Sequence, residues 1–331
     1  MKFFKTILLA LFALVALSSC QNNSDRTKYL PSISGNAGDV LVIINKAQWE
    51  GEVGTTIRNI LASEYPYLPQ REPAFNLYNA PHSEFSGAFL VHRNILVINI
   101  SSGIDTAGIK IGENAWAKPQ IVITVNAKTP QEASSILMEN GELIFNSIEQ
   151  AERNRLITNA KVYEDATVKE AVTKNIGGSP IFPRGFTIKK NTPEFMWISQ
   201  ETTHINQGIL IFKIPYTDQE QLTADNLKTT LNNLWQANVP GMRENSYMIF
   251  NKLLDPGFNS ITYNGKNMIE IRGLWEVEND FMGGPLVCHV FPDSERRNLI
   301  ILNAFVYAPK YDKRKYLRQV ESILYSFEWG K

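Results

Sequence analysis

The first twenty residues constrain most strongly what the rest of the chain can become. Lys2 and Lys5 form a positive start, and Ile7 to Leu17 is an unbroken apolar run of eleven residues. A membrane-spanning helix takes about 20 apolar residues, so this run suits the hydrophobic region of a secretory signal peptide instead. Leu17-Ser18-Ser19-Cys20 follows. A Leu, two small residues and a Cys in that order form the lipobox of a bacterial lipoprotein, in which the Cys20 thiol receives diacylglycerol. An ordinary signal peptide with an incidental cysteine is the competing reading. Residues 1–19 are therefore predicted as signal peptide and Cys20 as the lipidation site. Two or three acyl chains on one residue satisfy the two-signal requirement for stable membrane anchoring. Gln21 in place of Asp favours the outer membrane under the enterobacterial sorting rule, on its periplasmic face or at the cell surface.

Cleavage before Cys20 changes the composition that has to fold. It takes 19 residues from 331, leaving 312, and removes two lysines from a balance of 33 basic against 33 acidic residues, leaving a net charge of −2. A chain with 44% hydrophobic and 20% charged residues is globular and not disordered. Its near-neutral charge gives no support to nucleic-acid binding, which calls for a clearly basic domain. The second cysteine, Cys288, is left without a partner for an intramolecular disulfide, although the compartment is expected to be oxidising. Its setting, Leu286-Val-Cys-His-Val290, reads as a buried strand and an inert thiol more readily than as a nucleophile. Stability then has to come from core packing, and the length favours two medium cores over one large one.

Residues 20–36, polar with Pro31 and Gly35, read as a lipidated tether. Periodicity then divides the chain into an N-terminal unit, 37–160, and a C-terminal unit, 161–331. The first opens with a strand at Asp39–Ile44, followed by helical spacing from Trp49 to Leu61. Strands are expected at 94–100 and 119–127. Thr129-Pro130-Gln131-Glu132 is a capping box with Pro at the first helical position, opening one long helix to about Ala151. The second unit opens with a helix over 166–176. Strands follow at 186–190, 195–200 and 208–215, then a helix carrying Leu227, Leu231, Leu234 and Trp235. It closes with strands at 268–278, 286–291 and 298–307 and a helix over 313–327. The fold class expected is α/β (α+β): two mixed-sheet units with helices packed on the sheets, with a degenerate duplication of one α/β unit as a further reading.

No reaction is legible. His82, His92, His204 and His289 are too scattered for a zinc motif, so no metal or cofactor is expected. Phosphate-loop, dinucleotide and nucleophile-elbow motifs are absent. The strand from Met268 to Asp280 places Glu270, Arg272, Glu276, Glu278 and Asp280 on alternate positions. Residues two apart on a strand lie about 6.5–7 Å apart, a separation that glycosidase carboxylates use. Glu270, Glu276 and Asp280 are accordingly the candidate catalytic residues of a glycan-directed hydrolase, against the plainer reading of a solvated strand face. Several Gly/Pro-flanked aromatic stretches mark a candidate groove for a peptide, glycan or protein partner. They carry Trp116, Gln120, Tyr216, Arg272, Trp275, Asp280 and Met282. Lys310, Lys313, Arg314, Lys315 and Arg318 read as a solvated helix face, or one turned to anionic head groups.

These stretches also carry a resemblance. Trp116-Ala-Lys-Pro-Gln120, Val239-Pro-Gly241, Arg272-Gly-Leu-Trp275, Asp280-Phe-Met-Gly-Gly-Pro285 and Phe305-Val-Tyr-Ala-Pro309, with others along nearly the whole mature chain, resemble a Bacteroidota lipoprotein family, domain-of-unknown-function family 4837. The resemblance implies a periplasm-side or surface lipoprotein and assigns no catalytic residues. A non-enzymatic binding or assembly role in the outer envelope, toward another envelope protein or cell-wall glycan, is the leading expectation.

Overall fold

β1 (Asp39–Ile43) is buried at all five positions, which is what its continuous apolar sequence requires. The computed structural model describes residues 29–330, so the signal-peptide and lipobox readings lie outside the described residues. α1 (Lys46–Glu50) and α2 (Glu52–Leu61) carry the chain from β1 to β2 (Asn76–Ala80). β3 (Asn94–Ile100), β4 (Gly108–Glu113) and β5 (Ile121–Ala127) complete a five-stranded sheet ordered β2-β1-β3-β5-β4. β2, β1, β3 and β5 are parallel, and β4 joins the edge antiparallel to β5.

Thr129 caps α3 (Pro130–Glu139) as expected, accepting the Glu132 backbone N–H at 3.2 Å. The single long helix is instead two, because α4 (Gly141–Val162) starts afresh after Asn140. Asn140 ends the first helix with its side-chain amide on the Ile136 carbonyl, 2.8 Å away.

The C-terminal elements build a different sheet. After α5 (Ala166–Ile176) and the short β6 (Gly178–Ser179) come β7 (Thr187–Asn191), β8 (Phe195–Glu201) and β9 (Asn206–Pro215), followed by α6 (Ala224–Asn238). β10 (Met248–Phe250), β11 (Gly257–Tyr263), β12 (Lys266–Val277), β13 (Gly283–Pro292) and β14 (Asn298–Tyr307) follow. α7 (Arg314–Tyr325) and β15 (Glu328–Trp329), which pairs with β6, end the chain. The strand order is β10-β12-β13-β14-β9-β8-β7 with β11 beside β12, and every pairing in this sheet is antiparallel. The α+β class stands, but the sheets differ in kind: one is mixed and mostly parallel, the other wholly antiparallel. They are not two copies of one unit.

The expectation of two separate cores also changes. One apolar cluster runs from the helix-covered face of the first sheet (Val42, Leu96, Ile123) through α2, α4 and α7 to one face of the second sheet (Ile211, Ile300, Leu302). The opposite face of the second sheet is covered by α6, whose Leu227, Leu231 and Trp235 are buried. Full burial of side chains of this size stabilises by about 1.5–3 kcal/mol each. β13 and β14 are thus covered on both faces, which is why they read as apolar runs without alternation.

Candidate functional site

β12 distributes its side chains to two sides of the antiparallel sheet. Ile271, Trp275 and Val277 join the apolar cluster under α6, while Glu270 and Arg272 reach residues of α7. Beyond the α6 end of the sheet lies a cleft of about 290 Å³. Its walls are Trp197, Trp275, Phe305 and Tyr307, with Met242, Met248 and Met282 between them. The aromatics brace one another edge to face, with ring centroids 5.4 Å apart for Trp275–Phe305 and 6.4 Å for Trp197–Phe305. Val239-Pro240-Gly241 forms one side. A Cβ on Gly241 would lie 2.3 Å from Ser246 Oγ and 2.6 Å from Val277, so the close approach that shapes this side admits only glycine. Two polar atoms of lining residues, Trp197 Nε1 and Asn206 Oδ1, are buried and bond to no group among the described residues.

Trp275 and Met282 also line an adjoining recess of about 590 Å³, together with Glu276, Glu278, Asp280 and Phe281. Its carboxylates are each engaged: Glu276 accepts from Asn251 Nδ2, Glu278 pairs with Lys252 at 2.6 Å, and Asp280 accepts the Phe281 N–H at 2.8 Å and faces Arg243 at 3.5 Å. Around this mouth the surface is unusually apolar. Met242, on the cleft, is 89% exposed and Phe281, on the recess, 93%. Arg243 stacks over the Phe281 ring, which ties the Met242 turn to the β12–β13 turn.

Of the residues predicted from sequence, Trp275, Asp280 and Met282 meet here. Glu276 and Asp280 share the recess, whereas Glu270 lines a different cavity on the α7 side, so Glu270 and Glu276 do not form a facing pair. Arg272 belongs with Glu270. Trp116 stacks edge-on to Phe85 on the face of the first sheet away from the helices. Gln120 closes the turn behind it, donating to the carbonyls of Leu90 and His92 at 2.7 Å each. Tyr216 lines a separate cavity beside Phe291 and Trp329. These three do not join the cleft.

Sequence reasoning missed the cavity of about 400 Å³ where the N-terminal elements meet the C-terminal ones. Tyr65, Glu149 and Arg153 come from the first part of the chain, and Tyr263, Glu270, Arg272, Glu321 and Tyr325 from the second. Arg272 binds Glu270 in a fork, at 2.8 and 3.1 Å, and also donates to Glu321. Tyr325 donates to Glu270 at 2.6 Å, Tyr65 to Glu321 at 3.2 Å, and Arg153 lies over the Tyr325 ring at 3.7 Å. Arg318 Nε and Nη2 both reach Glu149, at 3.0 Å.

Burial opposes the ionisation of Glu270. The Arg272 charge with the Arg272 and Tyr325 hydrogen bonds outweighs it and holds the carboxyl well below the ordinary range. His289 stands 3.6 Å from Glu270, beyond hydrogen-bond length, so those two partners carry the effect. Glu321 is likewise held down, its burial overcome by Arg272 and Arg153. Glu149 moves the other way, because burial, aided by Glu321, exceeds what Arg318 returns.

The basic cluster before and on α7 is corrected by the same geometry. Lys310 and Lys315 are exposed, but Lys313 is buried against Gln70, Arg314 binds the Pro73 carbonyl and Arg318 is buried on Glu149. Most of the cluster holds α7 to the first unit. Cys288 is fully buried, and burial pushes its thiol up, away from the reactive thiolate. Among the described residues no three His, Cys, Asp or Glu side chains converge as a metal site, and no helix is long and apolar enough to cross a membrane.

Residues 165–326 match the domain of unknown function DUF4837. Residues 33–161 match a second one, DUF8532. The likeness expected along the whole mature chain is therefore divided, with the cleft lying in the DUF4837 region and the mostly parallel sheet in the DUF8532 region. No curated protein matches the sequence. Among solved structures, the Saccharomyces cerevisiae Ran-binding protein Mog1p aligns at 10% identity and a TM-score of 0.31, covering 46% of this chain and 90% of its own. The lipid transfer and protein localization domain of human StarD13 aligns at 10% identity and a TM-score of 0.23, covering 48% of this chain and 94% of its own. At such scores neither likeness carries an argument about function.

Proposed function

We propose that this protein is a lipoprotein of the bacterial outer envelope, tethered through lipid on Cys20, that works by binding a partner polypeptide at the aromatic–methionine cleft. The observation that carries this reading is the cleft mouth: Met242 on the cleft and Phe281 on the adjoining recess, two large apolar side chains, stand almost wholly in water. Apolar surface concentrated in this way marks an interaction site. Methionines let such a surface re-pack around a partner, while the tryptophans and tyrosine offer anchors with a polar edge. The unsatisfied Trp197 donor and Asn206 acceptor suit a peptide group entering with its side chain. A mainly apolar lining fits a protein segment better than a glycan, whose hydroxyls would lose water without replacement.

A second reading, a glycan-directed hydrolase, retains Glu276 and Asp280 in the recess. The engagement of each carboxylate by a neighbour favours binding over acid–base work. Loss of glycan cleavage in Glu276→Gln would support the hydrolase, and the absence of any cleavage by the intact protein would exclude it.

The binding reading is tested by recovery from gently solubilised membranes. The intact protein should bring down one reproducible partner, and Met242→Asp with Phe281→Asp should lose it while the protein stays folded. A bare monomer in both cases contradicts the reading. The anchor has its own test, in which Cys20→Ala should leave the membrane fraction or stall in processing; unchanged fractionation would refute lipidation.

A further inference from the structure

The connections of the first sheet diverge at one place. From β1 the chain crosses to β2 on one side, whereas β3 lies on the other side of β1 and leads on to β4 and β5. In open parallel sheets this switch point leaves a crevice outside the carboxyl ends of the strands, where ligands bind. A cavity of about 450 Å³ occupies that position, within the range of about 300–1,000 Å³ used by small-molecule sites. It is bounded by residues just after β1 (Ile44, Asn45, Gln48), after β2 (His82), at the end of β3 (Ile98 to Ser101) and near the end of β5 (Asn126).

The chemistry of the lining is uniform. Four carboxamides, an imidazole and a hydroxyl rise from an isoleucine base, and no Lys, Arg, Asp or Glu takes part. Asn99 joins two walls, its Oδ1 accepting from His82 Nε2 at 3.2 Å and its Nδ2 donating to Asn126 Oδ1 at 2.9 Å. Gln48 Oε1 is buried and accepts from no group among the described residues. An acceptor without a donor, in a cavity otherwise furnished with amides, calls for a ligand that donates and accepts at several points without net charge. Phosphorylated or carboxylated ligands would meet no countercharge.

We infer that the switch-point cavity of the first unit is a binding site for a neutral saccharide, a monosaccharide or the end of a glycan chain. This site is separate from the cleft and does not depend on the partner proposed for it.

The test is titration of the folded protein, labelled with ¹⁵N, with glucose, N-acetylglucosamine and the disaccharide of N-acetylglucosamine, following side-chain amide resonances. At least one sugar should shift Gln48, Asn99 and Asn126 saturably. Tighter binding of the disaccharide assigns a glycan end, and equal binding a free sugar. Gln48→Met and Asn126→Ala should each weaken binding about tenfold, the equivalent of one lost hydrogen bond. Gln48→Met sits on the partly exposed α1 and tests the site if Asn126→Ala fails to fold. Absence of saturable shifts with all three sugars, unchanged affinity in a folded Gln48→Met, or binding of glucose 6-phosphate in preference to glucose would each overturn the assignment.

Discussion

The charged cavity between the two units and the aromatic cleft at the far end of the second sheet treat their polar groups in opposite ways. In the first, three carboxylates (Glu149, Glu270, Glu321) meet three guanidinium groups (Arg153, Arg272, Arg318), and the tyrosines hydrogen-bond into the set. In the second, an indole N–H and an amide oxygen are buried with no partner among the described residues, and large apolar side chains stand in solvent. A satisfied buried network fixes one geometry, and an unsatisfied apolar cleft waits for another molecule. The difference separates what holds the units together from what faces outward, although the first region is the more conspicuously charged.

The largest expected effect tests the holding role. Glu321→Ala leaves Arg272 and Arg153 facing a buried void, and breaking one partner of a buried pair costs about 3–5 kcal/mol. Urea denaturation should show that loss, while a change under about 1 kcal/mol, the range of exposed pairs, would reduce the network to decoration. By contrast, Met242→Asp at the cleft mouth should move stability by no more than about 0.5 kcal/mol.

The pH dependence follows from the same network. Glu270 and Glu321 have folded values below the ordinary 4.5, so their stabilisation is full above that pH and is lost as pH falls toward the folded values. Glu149 is raised, so protonating it between its folded value and 4.5 returns stability. The unfolding midpoint should therefore hold or rise slightly from neutral toward pH 5 and fall steeply below about 4.5. Glu270→Gln should blunt the acid limb. A midpoint that climbs on acidification below 4.5 contradicts these signs.

An effect of intermediate size concerns the roof of the charged cavity. Tyr263 lies on β11, which turns into β12 through Asn264-Gly265, both at positive φ (48° and 74°). Gly265→Ala should cost about 1–2 kcal/mol, read by denaturation, with the cleft undisturbed.

That turn also shows where the sequence was legible and where it was not. Asn-Gly between two extended runs is a direct hairpin signal, yet β11 went unread because its strand, Gly257 to Tyr263, is half exposed and weakly apolar. β2 and β4 escaped for the same reason, being edge strands without clean alternation. The buried strands and α6 were plain because burial writes itself as apolar sequence. The groove residues Trp275, Asp280 and Met282 were visible through their turn chemistry. The charged network was not, since Glu149 and Arg318 stand far apart in the chain and nothing local records their meeting. Arg318 therefore read as surface.

The most direct test compares two faces of the protein in cells that express it. A photo-crosslinking residue placed at Phe281, at the cleft mouth, should capture one discrete partner, which Trp275→Ala abolishes. The same probe at Met138, 63% exposed on α3, should not capture it. Equal capture from both positions, or capture from Phe281 that survives loss of Trp275, would contradict the assignment of the cleft as the binding face.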